Sequence, residues 1–421
     1  MTSNIRVSTL DNGLRVASDP MSTVETVSVG VWIEAGARDE DAAVNGASHL
    51  IEHMVFKGTE RRDARSIAEE IEAVGGHLNA HTSREYTAYY AKVLKDDAGL
   101  AVDILADIVQ HAKLDPEELE RERAVVVQEI MQAHDTPDDI VFDRFQETAF
   151  PGQPIGRSVL GTAELIRSIP REALVAYVNA HYRASGIVLA AAGRIEHDRL
   201  VEMANDAFSE LKAGAEKARQ PALYIGGDCR EDRDLEQAHI ILGFEGLAYR
   251  DPDFYALSVF STLLGGGMSS RLFQEAREKR GLVYSIYSFP SSFIDGGVFG
   301  IYAGTGENEV AELVPLVCAE MVKVTSDVTE AEVARAKAQL KSSILMSLES
   351  TSARCEQLAR QLVVFGRPLT LTEVVDKVAS IDVAAVRRVA RRLIEGPVTL
   401  TGLGPLGSMP RYDDVASCLR H

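Results

Sequence analysis

From residue 24 to 34 apolar positions alternate with small or polar ones, the period of two that predicts a strand with one buried face. Shorter runs at 5–10 and 14–17 flank Asp11-Asn12-Gly13 and read as a hairpin. The period then lengthens. Helices are predicted over 47–54, 64–74, 96–111 and 116–133, with extended segments at 77–82 and 85–93 between the second and third. Gly75-Gly76 closes the second helix, while Asp115 caps and Pro116 opens the fourth. Further helices fall at 138–149, 171–181 and 198–211, around a buried-type strand at 187–192.

Residues 212–221, small, polar and ended by Pro221, read as a linker at the midpoint. The second half repeats the first in outline. Strands are predicted at 236–245, 281–284, 298–303 and 398–403, and helices at 253–264, 269–279, 306–325 and 330–350, with shorter ones after them. Gly75-Gly76-His77-Leu78-Asn79 and Arg280-Gly281-Leu282-Val283-Tyr284 sit at comparable places. The expected fold is α+β: two duplicated domains, 1–213 and 220–421, each an antiparallel-rich sheet packed by helices.

Composition narrows the function. Hydrophobic residues make up 46% and charged residues 25% of 421, ordinary for a globular chain. A net charge of −19 without a basic patch argues against nucleic-acid binding. No apolar run is long enough to span a membrane. Cys229, Cys318, Cys355 and Cys418 are scattered and form no C-x-x-C pair, which fits a reducing compartment. The start shows neither signal nor transit peptide, so a bacterial cytoplasm is expected rather than a mitochondrial matrix.

The chemistry concentrates in the 47–54 helix. His49 and His53 are four apart and share a face, with Glu52 at its edge. Two imidazoles side by side suit zinc, and a neighbouring carboxylate suits a general base. The order is H-x-x-E-H, that of the inverzincins. A bare His pair is also an ordinary helix face, so the metal reading needs a third ligand. The 116–133 helix offers Glu117, Glu118, Glu120, Glu122 and Glu129, and spacing alone leaves the choice open, with apolar Val125, Val126, Ile130 and Met131 around Glu129. His77 and His81 read as half-exposed strand residues. His111, His134, His181, His197, His239 and His421 stand alone and receive no role. Gly265-Gly266-Gly267 lacks the Gly-Lys-Ser/Thr of a phosphate loop and reads as a turn before a helix.

The segment from His49 to Glu129 resembles the M16 metallopeptidases, and most closely the short subfamily of the mitochondrial processing peptidase β subunit. The resemblance rests on H-x-x-E-H, a Glu about 75 residues later and another seven before it. Met54 to Thr59, Gly75-Gly76-x-x-Asn79-Ala80 and residues 265–284 extend it over most of the chain. It implies a zinc endopeptidase with one Zn2+ per chain, held by His49, His53 and Glu129. Glu52 would be the general base, and Glu122 would orient a ligand. Arg277 and Tyr284 would steady the substrate or its oxyanion, and Asn79 and Ala80 would lie along the bound peptide. It also implies a closed chamber completed by a homodimer, or by a heterodimer with a related subunit, in which Arg277 and Tyr284 serve the partner's zinc. The competing expectation is a non-catalytic structural or partner subunit of the same fold.

Overall fold

The computed structural model describes residues 4–214 and 218–420; of the predicted linker, 215–217 lie outside the described residues, as do Met1-Thr-Ser at the start and His421. The chain forms two compact units. The first comprises Met1–Met131, Arg157–Gln220 and Leu345–Thr370; the second comprises Gln132–Gly156, Pro221–Ile344 and Leu371–His421. Each sequence half therefore lends one segment to the unit built mainly by the other. A cut at 213/220 separates the two sheets but not the helices that cover them.

The first unit is built on a six-stranded sheet: β1 (Arg6–Thr9), β2 (Arg15–Pro20), β3 (Thr26–Ile33), β4 (His77–Thr82), β5 (Thr87–Leu94) and β6 (Ile187–Gly193). Its order is β1-β2-β6-β3-β5-β4, antiparallel except where β2 meets β6. The alternation foreseen in β3 divides its side chains between two cores. Val27, Val29, Val31 and Ile33 face the main core with Leu50, Ile51 and Met54 of the His49 helix. On the other face Trp32 joins Ala17, Val188, Ala190 and Ala192 under Cys355, Leu358, Ala359 and Leu362 of the helix Thr351–Phe365. β6 is buried along its whole length because both faces are covered, as a central strand requires.

The second unit holds β7 (Gly227–Asp232), β8 (Ala238–Glu245), β9 (Val283–Ser292), β10 (Gly297–Thr305) and β11 (Val398–Gly404), in the order β7-β11-β8-β10-β9. One face packs on Val310–Asp327 and Val383–Glu395. The other takes Val141, Phe145 and Phe150 from and just after the helix Pro137–Ala149. Gly243 makes the close approach possible: a Cβ there would lie 2.0 Å from the Phe145 ring.

The sheet-and-helix class matches expectation, but details differ: the strand expected at 281–284 runs over Val283–Ser292, and a short helix Ala163–Ser168 was not foreseen. β7 was not foreseen: Gly-Asp-Cys-Arg-Glu-Asp has no apolar face, and it is an edge strand held by main-chain pairing to β11. The helix predicted over 269–279 is present in wider form, a π-helix over Phe273–Glu278, with Lys279 N–H bonded five residues back to Gln274 C=O at 3.0 Å.

Candidate metal centre

The His49 helix spans Ala47–Met54 and is fixed at its N-terminus by a buried carboxylate. Glu40 accepts from Gly46 N–H (2.8 Å), Ser48 N–H (2.7 Å), Ser48 Oγ (2.5 Å) and Asn45 Nδ2 (2.8 Å). An anion at the positive end of a helix, bonded to otherwise unsatisfied N–H groups, sets where the helix begins. Gly46 makes the turn with φ +98°, and a Cβ there would lie 2.7 Å from Leu160 C=O. Glu40 escaped the sequence reading because Arg38-Asp39-Glu40-Asp41 looks like a solvated charge run; nothing local distinguishes buried Arg38 and Glu40 from exposed Asp41.

One turn along, His49 and His53 stand edge to face with ring centres 4.8 Å apart. Glu129 reaches them from the long helix Pro116–His134, its Oε2 lying 3.5 Å from His49 Nε2 and 3.5 Å from His53 Nε2. The three ligand atoms all lie within 4.8 Å of one another. Zinc held tetrahedrally at about 2.0–2.1 Å requires ligand atoms about 3.3–3.4 Å apart. The two nitrogen–oxygen separations match that spacing closely, so the donor set fits zinc. Burial, with the nearby charge of His53, pushes His49 down to about 4, which keeps its imidazole neutral and free to ligate.

Glu122, two turns before Glu129 on the same helix, does not join the cluster. Its Oε2 meets His53 Nδ1 at 3.1 Å and its Oε1 meets Lys57 Nζ at 2.6 Å. A carboxylate on the far nitrogen fixes the tautomer that leaves Nε2 free for metal. Lys57, absent from the sequence candidates, is in turn held by Glu122; the Met54–Thr59 stretch carried it without revealing its partner. Glu52 lies beside the cluster, half-buried. Burial raises its carboxyl above the ordinary range, while Thr82 and His53 pull the other way.

Asn79 and Ala80 lie on β4, the edge of the first sheet. Leu78 and Ala80 turn toward the main core, and Asn79 Oδ1 accepts from Ala80 N–H at 2.8 Å. Arg277 and Tyr284 belong to the second unit. There they stack: the guanidinium of Arg277 sits 4.9 Å from the Phe273 ring and 5.1 Å from that of Tyr284, and Tyr284 is 77% exposed.

Comparison with known proteins places the chain in a family. The model for insulinase, peptidase family M16, matches residues 15–163, and that for the peptidase M16 inactive domain matches 168–340. A protein of Arabidopsis thaliana named as a probable mitochondrial-processing peptidase subunit beta is 39% identical over 97% of this chain and 80% of its own length. The chain belongs to peptidase family M16. Among other M16 relatives, one of Rickettsia felis named as an uncharacterized zinc protease is 38% identical over 96% of this chain and 98% of its own. A solved structure described as a protease from Helicobacter pylori superposes with a TM-score of 0.89 at 26% identity, covering 95% of this chain and 99% of that one. Membership in a family of zinc proteases, with a His-His-Glu cluster present, implies zinc as the cofactor. Among the described residues no helix is long and apolar enough to cross a membrane.

Proposed function

We propose that this chain is a zinc-dependent endopeptidase acting on peptides and unfolded segments. The observation that carries the reading is the convergence of His49, His53 and Glu129, with Glu129 Oε2 3.5 Å from each imidazole Nε2, beside the half-buried carboxyl of Glu52. Bound there, zinc supplies Lewis acidity toward the scissile carbonyl and makes water nucleophilic near neutral pH. Glu52 takes the proton of the attacking water on its carboxylate and passes it to the leaving amine. Glu122 holds His53 in the ligating tautomer, and Lys57 holds Glu122. The free edge of β4 offers main-chain groups to an extended substrate, a mode that binds many sequences.

Arg277 and Tyr284 are read as hydrogen-bond donors to the substrate backbone or its oxyanion. A homodimer forming a closed chamber is the assembly we assign, with a heterodimer as its alternative; native mass and light scattering distinguish them. Bacterial and mitochondrial relatives are about equally similar; a bacterial cytoplasm is the location we assign, which cell fractionation tests.

Zinc per chain and cleavage of an unstructured basic peptide, before and after chelation, test the function. About one zinc, with cleavage lost on chelation and restored by zinc, is expected. A zinc-loaded protein inert toward a broad peptide library, alone and with a related subunit, would overturn the reading.

A further inference from the structure

On the face of the first sheet opposite the metal ligands, the helix Thr351–Phe365 covers β2, β6 and β3 but leaves β5 and β4 open beside it. A groove of about 380 Å³ remains there, running from Trp32 on β3 across Tyr90 on β5 to Asn79 and His81 on β4, with Cys355 and Glu356 as its helix wall. Its floor is aromatic by construction. Gly30 lets the Trp32 ring lie against the sheet: a Cβ there would come 2.7 Å from that ring and 2.8 Å from Tyr90 Cβ. His81 completes the lining, its ring meeting those of Tyr86 and Tyr90 edge-on at 5.5 and 5.8 Å. The buried Trp32 indole N–H has no partner among the described residues.

We infer that this groove is a substrate subsite that receives a large aromatic side chain from a peptide paired to the edge of β4. The inference rests on the strand-addition reading above and adds a specificity to it. Side chains of adjacent paired strands share faces, and successive residues alternate. A peptide lying along β4 therefore sends residues opposite Leu78 and Ala80 toward the metal side. Those opposite Asn79 and His81 go to the groove. Aromatic selection falls on every second substrate residue, set by the far face of the sheet, while bond cleavage occurs on the near face.

Trp32 is the sole tryptophan of the chain, so its emission reports the groove directly. The probes are tryptophan-free peptides identical except for Phe or Ala at successive positions, added to zinc-loaded Glu52→Gln protein, which should bind peptide without turning it over. We expect Trp32 emission to shift, and affinity to rise at least about tenfold, for Phe at alternate positions only. In Ser352→Phe, a substitution at the exposed rim on the helix side, that ratio should fall to about one, with zinc content unchanged. A Phe preference at consecutive positions, or none, overturns the subsite; so does a preference that survives Ser352→Phe without any shift of Trp32. Alternating binding with no cleavage by the wild-type protein would keep the subsite and overturn the peptidase reading instead.

Discussion

Glu122 should govern how tightly zinc is held although it does not touch the metal. Its buried carboxylate lies between Lys57 Nζ and His53 Nδ1. Glu122→Gln keeps the shape and an acceptor oxygen but removes the charge. Hydrogen bonds to charged groups contribute about 1.5–3 kcal/mol, against about 0.5–1.5 for neutral pairs. The difference of roughly 1–1.5 kcal/mol corresponds to about a tenfold loss of zinc affinity. Glu122→Ala also removes the acceptor and strands the Lys57 ammonium, so its loss should approach the roughly 100-fold seen when ligand-orienting partners are deleted. Lys57→Met, which leaves the carboxylate in place, should weaken zinc less than either. Competition with a chromophoric chelator at fixed pH gives the affinities, and far-UV circular dichroism confirms folding. Affinities equal to wild type within about twofold in both folded Glu122 variants would refute the claim that this carboxylate orients His53.

Glu52→Gln should retain one zinc per chain and lose about 10²–10⁴ in kcat, the span general-base catalysis covers; peptide turnover with a metal assay on the same sample checks both. Zinc-free protein should lose stability as pH falls through the window from 6.5 to about 4. Unfolded His49 binds a proton near 6.5 while folded His49 refuses it until about 4, so below 6.5 the unfolded state holds more protons; the cost is about 2 kcal/mol by pH 5 and vanishes above about pH 7. Urea denaturation of the chelated protein at pH 7.5 and 5 measures it, and His49→Gln should flatten the difference. Leu358→Ala should cost about 2–5 kcal/mol in the first unit, read as faster hydrogen exchange in β6, because Leu358 helps close that sheet's outer face.

The metal cluster was legible because helical spacing alone puts His49, Glu52 and His53 together, and family spacing then selects Glu129 from five acids on one helix. Glu40 and Lys57 were not, since their roles come from burial and distant partners that neither a charge run nor a lone lysine advertises. β7 was hidden because Gly-Asp-Cys-Arg-Glu-Asp, an edge strand dominated by charge, carries no apolar signal. The exchange of segments was hidden for a different reason. The apolar stripes of Pro137–Ala149 and Thr351–Phe365 announce that each helix packs on something, not which sheet receives it.

That exchange shapes how the chain is made. β6 completes the first sheet at Gly193, yet the residues that close its outer face, Cys355 to Leu362, follow roughly 170 positions later; at about 5–20 residues per second that is roughly 10–30 s of synthesis. For that interval Ala17, Val188, Ala190 and the Trp32 ring lie bare on a nascent protein. The ribosome thus holds a half-clad sheet, a target for chaperones and for neighbouring copies on the same message, until the second half of the polypeptide comes back to dress the first.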